Sequence, residues 1–300
     1  MKYTLSPIAI FCFKRFDLLK KLLDSLKKNK DSKKSIVYFF SDFSINNEDK
    51  ENVEKVRKLI ENCTFFKKKK IILRKKNYGL KKNILTGIDY VFSEHKKVIV
   101  LEDDLEVSKN FLKTINILLN KYEMDKSINT ITGFSFSEDK IKKLNISKNF
   151  FLLKRPSSWG WSTWKSKWLS LKKIKIHNKV KNEMYGNDLK IMNIKQKKGI
   201  LNSWAYNWTI KHIYSEKFCL YPKYSMIKNN GFDYHATNNF FRTRDLFSDI
   251  KNFTFKNYSY QQEDEQIKNL SKSNYDINSL IFLIKYIFFN LFYAKSKKEK

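Results

Sequence analysis

Three consecutive carboxylates, Glu102, Asp103 and Asp104, directly follow the apolar run Val98–Leu101. An apolar, β-branched run of this length predicts a buried strand. Three neighbouring acids repel one another unless they share a positive charge. A divalent cation supplies that charge, and Mg²⁺ or Mn²⁺ commonly joins such acids to a diphosphate. The alternative is an acidic cap before the helix predicted from about Asn110, which would account for one acid but not for three.

The elements around these acids alternate between strand and helix. The predicted strands are Pro7–Phe13, Ile36–Phe40, Ile71–Leu73, Val98–Leu101 and Thr130–Gly133, and the predicted helices are Phe16–Leu26, Glu48–Asn62, Lys82–Phe92 and Asn110–Tyr122. This order predicts an α/β fold with a mostly parallel sheet and helices on both faces. Ligands of such sheets bind beyond the carboxyl ends of the strands, where the three acids would lie.

The glycines limit how this site can hold a phosphate. The chain has seven glycines, and they form neither a G-x-G-x-x-G nor a G-x-x-x-x-G-K-[ST] pattern. A dinucleotide fingerprint and a P-loop are therefore both excluded. A bound diphosphate would instead need a metal ion and basic side chains, a requirement that the acid triplet meets.

The net charge of +31 arises from 61 basic and 30 acidic side chains. Such a charge favours an anionic partner, either nucleic acid, acidic lipid or a phosphorylated substrate. Most of the excess is lysine in a chain also rich in Asn, Ile and Phe, which is the bias of an AT-rich genome. The aromatic signature of an RNA-binding module is missing, so nucleic acid is not the expected partner.

The cysteines predict a reducing compartment. Cys12, Cys63 and Cys219 are odd in number and far apart, and they form no C-x-x-C pair. No secretory signal opens the sequence, and no run of 18 apolar residues is present. The expected location is therefore the cytoplasm, with a hydrophobic content of 42% that is sufficient for a folded core.

All six tryptophans lie between Trp159 and Trp208. Indole rings stack on sugar faces in binding clefts, and they also fill hydrophobic cores. The sequence leaves both roles open.

The strand–helix rhythm fades in the same region, so we divide the chain into a βα part at residues 1–142, an acceptor and catalytic part at 143–245, and a linker with a C-terminal helix at 246–300. Residues Gln261–Gln266 resemble a linker.

The segment Leu280–Tyr293 is almost entirely apolar and is followed by Lys295, Lys297 and Lys298. It is too short and too interrupted to span a bilayer comfortably. An aromatic-rich helix with a basic flank suits the surface of an anionic membrane, where each nearby lysine contributes roughly 1 kcal/mol. Docking of the same helix on the protein core is the alternative. The first reading predicts a peripheral protein on the inner face of the cell membrane.

Taken together, these segments resemble nucleotide-sugar-dependent glycosyltransferases of the GT-A fold. The resemblance covers roughly residues 5 to 240 and is most specific at the acid triplet. The order of these segments resembles that in bacterial sugar transferases of surface-polysaccharide loci and, more distantly, in the animal Golgi β-1,2-N-acetylglucosaminyltransferase. The segments that carry it are Pro7–Phe16, Asn77–Leu80 with Gly87-Ile88, Leu101–Phe111, Ser157–Trp164, Ser203–Ala205 and Asn229–Gly231.

The resemblance implies roles for the residues that match the family's donor site. Asp104 would ligate Mn²⁺ or Mg²⁺, Asp103 would face the ribose and Glu102 the transferred sugar. Arg15 would contact the nucleotide and Asp42 the uracil. The alternatives are a solvated charge at a helix start for Arg15 and a turn-forming carboxylate for Asp42.

Further positions follow from the same resemblance. Asn77 would lie in the nucleotide site, and His235 would touch the diphosphate unless it is structural. Trp159, Trp161 and Trp204 would line the acceptor site. The implied donor is a UDP-sugar, and the implied acceptor is a glycan or a lipid-linked glycan in surface glycan synthesis.

Inverting glycosyl transfer needs a base that deprotonates the acceptor hydroxyl. In the Golgi family this base is an Asp beside a Trp, whereas this chain has Asn202-Ser203 before Trp204. Asp233 is the substitute we expect, and Asp188 is a second one, although either carboxylate is also compatible with a solvated or capping role. A nucleotide-sugar-binding protein without catalytic activity is the alternative function.

Overall fold

The computed structural model describes residues 3–175, 185–231 and 250–276. The strands are β1 Ile8–Cys12, β2 Ile36–Ser41, β3 Lys68–Leu73, β4 Lys97–Glu102, β5 Leu105–Val107, β6 Ile128–Thr132, β7 Phe150–Leu153, β8 Trp161–Trp164, β9 Phe218–Pro222, β10 Ile227–Asn229 and β11 Tyr260–Gln261. The α-helices are α1 Phe16–Lys27, α2 Asn47–Glu61, α3 Gly79–Glu94, α4 Phe111–Lys121, α5 Glu138–Lys142, α6 Lys165–Lys173, α7 Asp188–Lys197, α8 Trp204–Tyr214 and α9 Glu265–Tyr275, and a short 3-10 helix spans Lys30–Lys34.

Within the described ranges, nine strands form one sheet in the order β11-β7-β9-β6-β8-β4-β1-β2-β3. Strand β1 pairs in parallel with both β2 and β4, and β2 pairs in parallel with β3. Strand β8 runs antiparallel between β4 and β6. The carboxyl ends of β1, β2 and β4 therefore meet at one edge, and a separate two-stranded ribbon of β5 and β10 lies beyond β4.

Residues of β4 alternate between the two faces of this sheet. Ile99 and Leu101 pack against α1, α2 and α4 on one face, whereas Val98 and Val100 pack against α3, α6 and α8 on the other. Helix α1 shows the matching pattern, because Leu19, Leu22, Leu23 and Leu26 recur at helical spacing and all four are buried. The sheet is thus covered on both sides, as expected for a mostly parallel sheet.

The α/β alternation predicted for the first half of the chain is confirmed, with element ends that differ by a few residues. The predicted third strand is longer than expected, because the lysines of Lys68–Leu73 continue the edge strand toward its amino end. Lys69 Nζ donates to the carbonyls of Ile60 and Glu61 at the end of α2. A strand that is rich in lysine is suited to a sheet edge, since charges there oppose pairing with another chain.

The predicted boundary near residue 142 does not divide the sheet. Strands β7, β8, β9 and β11 all come from residues after it, and β8 inserts between β4 and β6. The segment Gln261–Gln266, which resembled a linker in the sequence, has regular structure at both of its ends. Gln261 closes β11, and Glu265 opens α9 behind the N-cap Asp264, whose carboxylate accepts from the Ile267 amide. Buried Ile267 and Leu270 anchor this polar helix, a pattern that its overall composition concealed.

The predicted C-terminal apolar helix lies outside the described residues, as do Asp233 and His235. Within the part of the chain that the structure describes, no helix combines the length and hydropathy needed to cross a bilayer.

Candidate active site

The acid triplet lies at the carboxyl edge of the sheet, between the ends of β1 and β4. The Asp103 amide donates to the Phe11 carbonyl at 3.0 Å, which extends the β1–β4 ladder one step beyond Glu102. Asp103 Oδ2 accepts from the Phe13 amide at 3.1 Å. The loop after β1 is therefore fixed to the acids by backbone hydrogen bonds, and this carboxylate acts as a structural clamp as well as a candidate ligand.

The three carboxylates perturb one another. Burial, together with the neighbouring charges of Asp104 and Asp103, raises the pKa of Glu102 well above its usual value. Burial and the Asp104 charge raise the pKa of Asp103 to about 7. Clustered carboxylates with raised pKa values are typical of functional sites, because nothing in folding alone rewards their proximity. A bound cation would reverse these shifts by favouring the charged forms.

Arg15 supplies positive charge at this edge. Its Nη1 lies 3.1 Å from Asp104 Oδ2, and both side chains are partly exposed, at 21% and 15%. Arg15 precedes the first residue of α1, where it makes no capping hydrogen bond through its side chain. The solvated helix-start charge considered from sequence is thus not the arrangement found, since the guanidinium is paired across the site.

Asp42 follows β2 and is 4% exposed. Its Oδ1 accepts from the Phe43 amide at 2.9 Å and from the Tyr78 amide at 2.8 Å. Asp42 therefore performs the turn-forming role considered from sequence, and it does so across two loops that are 36 residues apart. The partner in the second loop is the backbone amide of Tyr78, a contact that the sequence did not predict.

Asn77 reinforces the same contact between loops. Its Nδ2 donates to the Phe43 carbonyl at 2.5 Å, and its Oδ1 accepts from the Gly79 amide at 3.0 Å. Gly79 has a φ of +69°, a conformation that glycine adopts without steric cost. Arg74 lies with its guanidinium carbon 4.6 Å from the centroid of the Tyr78 ring. These contacts place an aromatic ring and a guanidinium beside Asp42.

A third segment closes over Asp104 from the ribbon of β5 and β10. The Asn230 amide donates to the Asp104 carbonyl at 2.8 Å, and Asn229 Oδ1 accepts from the Gly231 amide at 2.7 Å. A Cβ atom on Gly231 would lie 2.1 Å from Asp104 Oδ2, so a larger residue would require Asp104 or the loop to shift. The motif Asn229–Gly231 is one of the segments on which the resemblance was based. Its contact with Asp104 could be seen only in the tertiary structure.

These residues suit a divalent cation only if phosphate oxygens of a substrate complete its coordination. In the described ranges, no group of three or more His, Cys, Asp or Glu is arranged to hold a metal by itself. Mg²⁺ is usually bound by one or two carboxylates together with substrate phosphates. Asp104 is partly exposed beside Arg15 and supplies hard oxygen donors, which matches that donor set and not an all-protein cage.

Two of the three tryptophans expected in the acceptor site have the packing role that the sequence left open. Trp161 is fully buried, and Trp204 is 3% exposed. Their rings stack with centroids 5.8 Å apart and also contact Trp168 and Trp208 in the core between the sheet and α3, α6 and α8. The geometry places Trp161 and Trp204 among packing residues. Trp159 is only partly buried and lines a cavity of about 90 Å³.

The two residues that replace the family's base have structural roles. Asn202 Oδ1 accepts from Lys81 Nζ at 2.9 Å, and Ser203 caps α8 by accepting from the Tyr206 amide. Asp188 pairs through both oxygens with Arg155, each at 2.7 Å. Because this ion pair is buried, Asp188 serves to hold Arg155 and is unsuited to accept a proton from an acceptor.

An α/β sheet with acids at the carboxyl edge of a central strand, covered by helices on both faces, is the architecture of nucleotide-sugar transferases of the GT-A type. The family model described as glycosyl transferase family 2 matches residues 8–187, which is more than half of the chain. The chain belongs to glycosyltransferase family 2, and its fold is of the GT-A type. No curated protein matches the sequence.

Solved structures with a related chain path include GalNAc-T7 with UDP, GalNAc and Mn²⁺, at 13% identity and a TM-score of 0.48. That alignment covers 75% of this chain and 44% of the GalNAc-T7 chain. TarS of S. aureus, as residues 1–349, matches at 13% identity and a TM-score of 0.48, over 76% of this chain and 61% of that one. The complex of the same fragment with UDP-GlcNAc matches at 15% identity and a TM-score of 0.33, over 43% of this chain and 34% of that one. This chain therefore spans less than two thirds of the length of each of these solved chains.

Proposed function

We propose that this protein transfers a sugar from a UDP-sugar to a saccharide or lipid-linked saccharide acceptor in surface glycan synthesis, with Mn²⁺ or Mg²⁺ as cofactor and with inversion at the anomeric carbon. The observation that supports this most strongly is the contact of Asp104 with Arg15 and Gly231 at the carboxyl edge of β4. This edge carries both signs of charge, as a site for a metal-bound diphosphate requires.

The nucleotide would lie between the loops after β1 and β2. Asp42 uses Oδ1 to join the Phe43 and Tyr78 amides, so its Oδ2 is the oxygen that would accept from the N3–H of uracil. Asn77 and the Tyr78 ring would form the wall on the side of the base. Asp103 would face the ribose, while Glu102 continues the face of Val98 and Val100 and would approach the transferred sugar.

Asp104, with support from Asp103, would hold the cation, and the cation would supply positive charge against the negative charge that develops on the leaving diphosphate. Arg15 lies within reach of the same charge and would stabilise it through N–H donors. These chain residues orient the donor and keep its diphosphate beside fixed positive charge. The comparison with GalNAc-T7 in complex with UDP, GalNAc and Mn²⁺ is compatible with this cofactor.

Asp233 is our candidate for the base. Asn202 and Ser203 are committed to Lys81 and to the α8 cap, and Asp188 is committed to Arg155. Asp233 lies outside the described residues, but it follows Gly231 by two positions, and Gly231 touches Asp104. Consecutive Cα atoms are about 3.8 Å apart, so the chain can bring this carboxylate to the donor site. His235 remains a candidate for contact with the diphosphate.

The test is release of UDP from a panel of UDP-sugars in the presence of Mn²⁺, with and without saccharide acceptors. We expect Asp104→Asn to lose metal-dependent turnover, because the amide is a weaker metal ligand and carries no charge. Asp24→Asn, on the exposed side of α1, is the matched control and should retain activity. Equal activity of Asp104→Asn and the wild type would exclude the metal assignment.

The position occupied by Asn202 and Ser203 favours one alternative, a nucleotide-sugar-binding protein without turnover. Calorimetry distinguishes the two functions. Binding of UDP with Mn²⁺, together with no transfer to any acceptor and an unchanged UDP-release rate in Asp233→Asn, would support the binding protein. Loss of turnover in Asp233→Asn with unchanged UDP affinity would support the transferase.

Recognition of uracil can be tested at Asp42. Asp42→Asn can keep the acceptor that joins the Phe43 and Tyr78 amides while it replaces the second oxygen with an NH₂ donor. We expect the melting temperature to change little and the affinity for UDP to fall about tenfold relative to that for CDP, because uracil N3–H would then face a donor. An equal loss for both nucleotides would remove the role in uracil recognition.

A further inference from the structure

The outer face of α7 combines lysines with exposed apolar side chains. Lys190, Ile194, Lys197 and Lys198 follow one another at helical spacing, and all four are exposed. Ile194 is 48% exposed, and Ile200 in the following loop is 60% exposed. The segment from Lys190 to Ile200 contains four lysines and no acid. We refer to this segment as the α7 surface.

Packing determines which side of α7 faces outward. Leu189 is buried in the core, and Met192 is packed against it. Gln196 Nε2 donates to Asn207 Oδ1 on α8 at 2.7 Å. These inner contacts leave Ile194 on the opposite side, where it has no core to fill.

The inner side of α7 borders the cavity that contains Trp159. This cavity of about 90 Å³ is partly open and is lined by residues 155–159, by Leu189 and Met192, by residues of α8 and by Tyr275. Trp159, Ser157 and Thr209 contribute an aromatic ring and hydroxyl groups, a combination that suits a sugar ring.

The register of β8 relates this cavity to the donor site. Trp161 is paired with Val100, and Trp159 precedes Trp161 by two residues, just as Glu102 follows Val100 by two. Because the two strands are antiparallel, Trp159 and Glu102 lie toward the same edge of the sheet. The cavity therefore lies toward the sheet edge that carries the acid triplet, and α7 forms part of its wall with Leu189 and Met192.

We propose that the α7 surface docks on an anionic lipid bilayer and holds this cavity toward saccharides that are attached to a lipid in that bilayer. The acceptor part rests on the proposed function, whereas the docking does not. Lysines that flank exposed aliphatic side chains are suited to the headgroup region. Two isoleucines offer too little apolar area for a stable protein interface, which favours the bilayer over a protein partner.

A second contact places the C-terminal sequence on the same flank. The Asn187 amide at the start of α7 donates to Asp276 Oδ1 at 2.8 Å, and Asp276 is the last described residue before the apolar segment Leu280–Tyr293. A ten-residue α-helix is about 15 Å long. Asp276 and the α7 surface therefore lie within a short distance of each other.

The docking is tested by a fluorophore that reports on its environment. The three native cysteines are buried, so Ile200→Cys can be labelled selectively in the full chain. Met124→Cys is the matched control, since Met124 is 88% exposed in the loop before β6. With vesicles of phosphatidylcholine and phosphatidylglycerol, we expect a blue shift for the label at 200 and none for the label at 124. Equal responses at both positions, or none at 200, would overturn the proposal.

A charge-matched pair of variants separates docking from general attraction. Lys197→Glu/Lys198→Glu/Ile200→Ser alters the α7 surface, and Lys33→Glu/Lys34→Glu/Met124→Ser makes the same changes at exposed positions beside the amino ends of β2 and β6. We expect the first variant to lose about tenfold or more in vesicle partitioning and the second less than about twofold. Equal losses would show attraction by net charge alone and overturn the proposal.

The same two variants distinguish failure of the docking from failure of the proposed function. Without vesicles, UDP release from UDP-sugars in the presence of Mn²⁺ should be unchanged in both, because neither variant alters the donor site. With a lipid-linked acceptor in vesicles, only the α7 variant should show a raised KM. An unchanged KM in that variant would overturn the acceptor part, whereas lack of UDP release in the wild-type protein would instead reject the transferase function.

Discussion

Arg15 Nη1 lies 3.1 Å from Asp104 Oδ2, and both side chains face the site at the edge between β1 and β4. The guanidinium thus pairs with the carboxylate that we propose as the cation ligand. Gly231 lies against the same oxygen from the opposite segment. The same carboxylate oxygen therefore lies against the Gly231 backbone and is paired with a cationic side chain.

Replacement of Arg15 should affect metal and nucleotide in opposite directions. Arg15→Gln removes a positive charge next to Asp104, so the affinity for Mn²⁺ alone should rise by roughly tenfold or less. The affinity for UDP in saturating Mn²⁺ should fall, because a donor to the diphosphate is lost. Calorimetry with each ligand measures both effects. Lys20→Gln, which is exposed on the same helix, should change neither; a parallel change of both affinities in Arg15→Gln would contradict this role.

Gly231→Ala should displace Asp104. The added Cβ would lie 2.1 Å from Oδ2 and 2.8 Å from Cγ of that residue, so the carboxylate or the loop has to move. We expect the affinity for UDP with Mn²⁺ to fall about tenfold or more, while the melting temperature changes little. Gly199→Ala is the control, because its Cβ meets open space and any cost is confined to the backbone at φ +68°. Retained UDP affinity in Gly231→Ala would show that the loop yields without moving Asp104.

His212 should make the protein less stable in acid. Its Nδ1 donates to the Lys154 carbonyl, its Nε2 accepts from Thr130 Oγ1, and burial lowers its pKa to about 4. Below pH 6.5 the unfolded chain binds a proton at this residue that the folded chain excludes until about pH 4. Its contribution is therefore present in full above pH 6.5, and about 3 kcal/mol is lost as the pH falls to 4.

Urea unfolding of the wild type and of His212→Gln at pH 7, 6 and 5 measures this effect. The free energy of unfolding of the wild type should decline more steeply with falling pH than that of the variant, even where the variant is less stable at pH 7. Parallel slopes would mean that the imidazole is protonated in the folded state.

Gly87→Ala should destabilise the fold although alanine favours a helix. A Cβ at this position in α3 would lie 2.5 Å from the Phe11 ring and 3.1 Å from the Phe40 ring. Overpacking of this kind costs about 1–3 kcal/mol, more than the gain of about 1 kcal/mol in helix propensity. Chemical denaturation checks the sign. In Gly87→Ala/Phe11→Leu the smaller side chain should recover part of the loss, and strictly additive effects would rule out this contact as the cause.

Removal of the residues after Asp276 should shift the protein from the membrane to the soluble fraction. The deletion takes away the apolar segment Leu280–Tyr293 and the lysines that follow it. Cell fractionation measures the change, and circular dichroism should confirm that the rest of the chain keeps its helices. If the deletion leaves the distribution between membrane and soluble fractions unchanged, the segment belongs to the protein core. If the shortened protein still binds anionic vesicles, we attribute that binding to the α7 surface.

The sequence by itself determined the first strands of the sheet and the place of the acids. Apolar periodicity in α1 and the β-branched run of β4 are local patterns, and burial of those side chains is favourable in any fold that forms the elements. The carboxyl end of β4 had to carry Glu102, Asp103 and Asp104 because they directly follow the apolar run Val98–Leu101 in the sequence. The position of the acids could be predicted because it depends only on the order of residues along the chain, which tertiary packing does not change.

Only the tertiary structure decided which groups face the acids. The contacts of Asp104 with Arg15 and Gly231 join segments 89 and 127 residues away along the chain, and no local pattern encodes such separations. The same limit applies to Trp161 and Trp204, whose indoles suit a cleft as well as a core. Burial between the sheet, where Trp161 lies on β8, and α8, which carries Trp204, assigned both to packing. The sequence did not show which helix covers this face of the sheet.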